Sequence, residues 1–309
     1  MEKIYKDIPD NFNELESYVI TNKMEITESL IRSEKCYFYD TCAFRNHMNI
    51  SNPDAIFEYM KRNSGVVVLT RGIIMEMCSN DGKLWNEHIE YIKKMSEYGI
   101  KVIVMFEEDV FDVLKAYCSD VSKINKWLIF AVRCIKSKAG TIEKVLQMNS
   151  VLKKEVLLSD TCTDGTLAKK LFKEIRENKT TQDNLGEELI AICTHWLSNI
   201  RNVNEYKYII LTDDKKAIPT ISKAIKNSEK YQGMKLIAVV TTAKLCALMQ
   251  QGALLNSLVD VVDILSPRCE EDIIKIYGSE VYELKPSEKS MKISEFATKI
   301  INSSITVYS

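Results

Sequence analysis

Apolar residues in this chain follow two rhythms. Continuous runs rich in β-branched and aromatic residues, CYFYD (36–40), VVVLT (66–70), IKVIVMF (100–106), YKYIILT (206–212) and KLIAVV (235–240), predict buried strands. Between them the apolar positions recur at helical spacing. Ile56, Tyr59 and Met60 follow a helix start at Asn52-Pro53-Asp54, and Leu84, His88, Ile92 and Met95 run up to a stop at Gly99. EEDVFDVLKAYC begins with acids that suit a helix dipole, and Leu185, Leu189, Ile192, Trp196 and Ile200 form a stripe over 184–200. A further helix around AIPTISKAIKN separates the last two strands. Strand followed by helix, repeated, predicts an α/β fold: a doubly wound, parallel, five-stranded sheet with right-handed crossovers.

Three segments stand outside that alternation. Residues 1–32 predict short helices, with Phe12, Leu15 and Val19, then Ile26, Leu30 and Ile31, near helical spacing. Residues 120–180 read as a Lys-rich helical insertion, broken by the loop SDTCTDGT, within a domain spanning 33–252. Its lysines are interleaved with acids, which favours a salt-bridged helical face over a basic wall. Residues 253–309 read as a C-terminal helical appendage, with a start at Ser266-Pro267, a stop at Gly278 and a final amphipathic helix through Ile293, Phe296, Ala297, Ile300 and Ile301 that covers the core.

Composition narrows the chemistry. The 309 residues carry 42 basic and 43 acidic side chains, a formal net charge of -1, so a nucleic-acid partner needs a local patch rather than a global field. Nine cysteines without a CxxC pair, and three histidines, argue against a structural zinc framework and suggest reduced thiols and a cytoplasmic location. The charged start MEKIYKDIPDNF and apolar runs well short of the ~20 residues that span a bilayer predict neither export nor membrane insertion.

The candidate chemistry lies in acids at strand ends and helix starts. Asp40 closes the first strand, Glu76 lies a turn into the helix after the second, Glu187 and Glu188 open helix 184–200, and Asp213-Asp214 follow the fourth strand. Each alone is explained as a cap, a first-turn charge or a turn residue. In a parallel sheet, however, all would gather at the carboxyl edge, where ligands bind at the switch in strand order. So many carboxylates in one pocket call for a cation, and hard oxygen donors suit Mg2+ or Mn2+.

YFYDTCAF, VVLTRGIIMEM, LGEELIAICTHW, ILTDDKKA and LIAVVTTAKLCAL resemble the successive signature segments of the PIN-domain nucleases, over about 33–107 and 183–252. The resemblance implies a PIN-like metal-dependent hydrolase, an endoribonuclease cleaving RNA phosphodiesters, single-stranded rather than duplex, with magnesium or manganese. Asp40, Glu76 and Asp214 fall on the family's acid positions, with Asp213 in the variable place of the T-x-D pattern. The third acid is Glu187, with Glu188 second and Asp183 an outside candidate one turn earlier. Thr41 and Thr212 would orient carboxylate or water, and Arg45, Arg71, Lys215 and Lys216 would meet phosphates. A separate protein inhibitor is a further expected partner.

Other readings fit less well. A dehalogenase-type phosphatase needs a second Asp where Cys42 stands, and a dinucleotide site needs a glycine-rich turn where DTCAFRN stands. A PIN-like module that binds nucleic acid or serves as a scaffold without turnover remains open.

Overall fold

The computed structural model describes residues 5–135, 140–158, 161–180, 184–200 and 203–308. Its centre is a sheet of five parallel strands, β1 (Lys35–Tyr39), β2 (Gly65–Thr70), β3 (Lys101–Met105), β4 (Tyr208–Leu211) and β5 (Ile237–Val240), in the order β3-β2-β1-β4-β5. Helices cover both faces, so the strands need no polar side, and Tyr37, Phe38, Val67, Val68 and Ile210 are wholly buried. β1 pairs with β2 on one flank and β4 on the other, with Phe38 opposite both Val68 and Ile210. The chain winds outward through β2 and β3, then returns past β1 to begin β4. The switch in strand order therefore falls between β1 and β4, and it brings Asp40 and the Thr212-Asp213-Asp214 turn to neighbouring strand ends.

The amino-terminal segment contributes one 3-10 turn, Phe12–Glu14, and one α-helix, Lys23–Arg32, whose Asn22 side chain accepts from the Met24 and Glu25 amides. A second α-helix expected before Asn22 does not form, because Ile20 is drawn out into a parallel bridge with Ile103 at the edge of β3. The insertion is helical as expected, with Val121–Ile135, Thr141–Met148, Ser150–Lys153 and Leu167–Glu177. Trp196 ties it to the domain by donating to the Ile124 carbonyl at 3.1 Å. Arg176 ties it a second time, with Glu107, Glu108 and Asp7 around one guanidinium.

The C-terminal region departs from an all-helical reading. After helix Leu258–Leu265 come β6 (Ile273–Glu280), β7 (Ser287–Lys292) and β8 (Ile305–Val307), an antiparallel sheet in the order β7-β6-β8 with helix Ile293–Ile301 inserted before β8. Ile274 and Ile276 are buried while Ile273, Lys275 and Tyr277 face out, a period of two. Gly278 stops no helix; it sits inside β6, where a Cβ would lie 2.7 Å from the Thr306 carbonyl, so glycine is what lets β8 approach. The final helix buries Ile293, Phe296, Ala297 and Ile300 against the molecule.

All nine cysteines are free. No helix among the described residues is long and apolar enough to cross a membrane.

Candidate active site

Thr212 organises the centre of the carboxyl edge. Its buried hydroxyl donates to Asp40 Oδ2 at 2.8 Å and accepts the Asp214 amide at 3.1 Å, so one side chain sets the spacing of the β1 and β4 acids. The Asp214 carboxylate in turn accepts from the Lys216 amide at 2.7 Å and begins the next turn. Asp40 is 3 % exposed. Burial pushes its pKa up to about 7, with the Glu76 and Asp214 charges adding to the rise against the Thr212 hydrogen bond.

Glu76 ends helix Arg71–Glu76 behind β2 and turns back toward the same edge. Thr41 Oγ1 donates to its Oε2 at 2.5 Å, and Lys179 Nζ stands 2.8 Å from its Oε1. The carboxylate rests on the first turn of helix Leu185–Leu197, where Gly186 makes room: a Cβ there would lie 2.9 Å from Glu76 Oε1. Glu187, next in that turn, has its pKa pushed up to about 8, by burial first and then by the Asp40, Glu76 and Asp214 charges. These acids, distant in sequence, thus share one electrostatic neighbourhood.

The two members of each adjacent acid pair differ in their partners. Glu188 is buried and accepts the Ile142 amide at 3.2 Å, so it holds the start of the insertion helix Thr141–Met148 and does not join the pocket. Successive helical residues point about 100° apart, which separates it from Glu187. Asp213 has partners of its own. It accepts the Thr242 amide and the Asn46 side chain at 2.9 Å each, with Arg268 Nη1 also 2.9 Å away. Burial alone would raise its pKa; Arg268, His47 and the Thr242 hydroxyl together outweigh that and hold it below the usual carboxylate value. His47 continues this bracing, bonded at 2.9 Å to both Tyr39 and Thr242, and burial pushes its pKa down to about 4.

Among the expected phosphate contacts, Lys215 is exposed and lines a cavity together with Asp214, and Arg45 is exposed and donates to the Glu76 carbonyl at 3.2 Å. Arg71 is elsewhere: it is buried with its guanidinium 4.4 Å from the Phe12 ring and 4.7 Å from that of Phe106, and it donates to the Asp7 carbonyl. That stack anchors the amino-terminal segment and removes Arg71 from the phosphate contacts. Asp183 lies outside the described residues.

Sequence reasoning missed Lys179, Gly186, Asn46, Thr242 and Arg268. Only Gly186 carried a signal, as a glycine inside a helix start directly before the acids. Lys179 and Arg268 reach their partners from other parts of the chain, and no local pattern marks them.

The side chains gathered at this edge are carboxylates, the chemistry that Mg2+ or Mn2+ takes, and the pKa values of Asp40 and Glu187 are raised by burial first and by the neighbouring acids after it. Their spacing is a separate matter. Among the described residues no three His, Cys, Asp or Glu side chains converge closely enough to hold an ion as they stand. The donor set fits a metal by chemistry and would have to draw together to fit it by distance. Comparisons with protein-family models, with curated proteins and with solved structures give no match.

Proposed function

We propose that this chain is a metal-dependent nuclease of the PIN-like type, an endoribonuclease that hydrolyses RNA phosphodiesters at the pocket of Asp40, Glu76, Glu187 and Asp214. The observation that carries the reading is the shared field of these acids at the switch point of the sheet, with Thr212 joining Asp40 to the Asp214 turn. Asp213 is compensated by Arg268, whereas Asp40 and Glu187 are buried in the field of the neighbouring acids, and Glu76 carries the Lys179 ammonium. Mg2+ or Mn2+ held by this set would lower the pKa of a bound water and neutralise charge at phosphorus.

The chain's own residues have definite tasks. Thr212 holds Asp40 in place, Thr41 orients Glu76, and the helix start at Gly186 brings positive dipole to an anionic site. Arg45 and Lys215 are exposed and would meet phosphates. The decisive experiment compares wild type with Asp40→Asn on single-stranded RNA with and without Mn2+. Metal-dependent cleavage lost in the variant supports the proposal; equal cleavage by both, or cleavage without metal, overturns it.

A second reading has a specific observation in its favour. Lys179 places an ammonium on Glu76, where a metal's charge would otherwise act. In that reading the chain binds nucleic acid or serves as a scaffold without turnover. No cleavage at any Mn2+ concentration, together with retained RNA binding, would select it.

A further inference from the structure

The pocket does not end at Asp214. Two adjoining cavities of about 740 and 510 Å3 share Asp213, Lys215, Arg268 and Lys275 as walls, and they extend from Asp214 to Tyr277 on the C-terminal sheet. The period of β6 determines the chemistry of that far wall. With Ile274 and Ile276 turned inward, Ile273, Lys275 and Tyr277 form the outer row, and strand pairing sets Lys292, Ser290 and Glu288 opposite them. The Tyr277 and Tyr308 rings lie 6.3 Å apart, and both are more than two-fifths exposed, at 42 % and 46 %.

Charge is available along this groove. Lys289 on the far wall is tied to Glu283 at 2.6 Å, but no described carboxylate pairs with the side chains of Lys215, Lys216 or Lys275. Arg268 stands at the junction, nearly buried, with Asp213 on one side. Lys215, Lys216 and Lys275 track the groove past Glu271 and Glu288 to the exposed Tyr277 ring, and lysines in file ending on an aromatic ring suit phosphates and a stacked base. An acidic peptide would use the lysines but leave the tyrosine pair without a role.

We propose that this groove binds single-stranded RNA, with phosphates on Lys215, Lys216 and Lys275 and a base against Tyr277, and that it leads the strand to the acidic pocket. The delivery step rests on the nuclease reading above; the binding does not.

The test uses the full-length protein and a fluorescent oligouridylate of about 12 nucleotides, within the usual site size for single strands. Anisotropy is read in EDTA, which keeps metal-dependent cleavage out of the measurement. Lys275→Glu and Tyr277→Ala should each weaken binding about fivefold or more, and Lys275→Glu should also flatten the salt dependence by about 0.7 in log–log slope. Lys126→Glu, on the exposed side of the insertion, should bind as wild type. Melting temperatures equal to wild type separate a lost contact from a lost fold, with Tyr277→Leu replacing Tyr277→Ala if the latter melts early. Failure of wild type to bind, or groove variants that bind equally well, overturns the groove even if RNA is cleaved. Weakened variants in a protein that never cleaves leave the groove standing and remove the nuclease reading. Polyglutamate competing as well as oligouridylate would assign the groove to an acidic protein and overturn the proposal.

Discussion

Lys179 Nζ stands 2.8 Å from Glu76 Oε1, and its side chain is only 3 % exposed. The ammonium is thus a built-in cation on one of the four acids proposed to hold a metal. Under the nuclease reading, Lys179→Ala removes a competitor for Glu76. The Mn2+ concentration for half-saturation, read by calorimetry, should fall about tenfold, equivalent to ~1.4 kcal/mol. Unchanged or undetectable Mn2+ binding in the variant would favour the scaffold reading.

Gly186 supplies a steric test of the same pocket. A methyl group at this position meets Glu76 Oε1 and Ile73 Cδ1 at 2.9 Å each, whereas at Gly165 a Cβ meets nothing within 4 Å. Gly186→Ala should cost about 1–3 kcal/mol in urea unfolding and displace Glu76, with cleavage falling alongside. Gly165→Ala should lie within about 0.5 kcal/mol of wild type.

Asp40 carries a stability cost at neutral and higher pH. Its pKa is about 7 in the fold, above the ordinary value of 3.8, so the folded state binds more protons between those values. Stability from this group is full below its unfolded pKa and is lost as pH rises through about 7. Without divalent metal, Asp40→Asn should therefore stabilise the protein by about 1–3 kcal/mol near pH 8, and the gain should vanish toward pH 4. Thermal melts at the two pH values check this, and cleavage should be lost at both.

His195 works in the opposite direction. It is buried beside Phe130, neither ring nitrogen finds a hydrogen-bond partner among the described residues, and burial pushes its pKa down to about 4. Its neutral form suits the fold, so stability is full above the unfolded pKa near 6.5 and falls as pH drops toward 4. His195→Leu should recover about 2 kcal/mol of that loss near pH 5 relative to neutral pH, read from urea midpoints of variant and wild type.

Arg176 holds the insertion to the domain. Its guanidinium serves Glu107, which is fully buried, together with Glu108 and Asp7. Arg176→Met would leave Glu107 buried without its cation, and a loss of about 3–5 kcal/mol is expected. Limited proteolysis should then cut first within the insertion.

The sheet was legible in the sequence because its strands are buried on both faces. Such strands are continuous apolar runs, and the turns between them are punctuated, as at Gly65 and Gly99. The C-terminal sheet was not legible. The Ile274/Ile276 alternation is short, and Gly278, which a local reading takes as a helix stop, serves a contact with Thr306 that is remote in sequence.

For the candidate site, sequence alone determined which acids sit at strand ends and helix starts, because those positions follow from local periodicity. It ranked Glu187 before Glu188 and Asp214 before Asp213 only through the family resemblance, because local periodicity alone does not separate such neighbours. Neighbours in sequence face different sides, and only packing decides which side is the pocket. The fold turned Glu188 onto Ile142 and Asp213 onto Thr242 and Arg268, and it brought Lys179 to Glu76 across 103 positions of chain. Those partners come from elsewhere in the chain, so their charges and hydrogen bonds exist only once the chain has closed on itself.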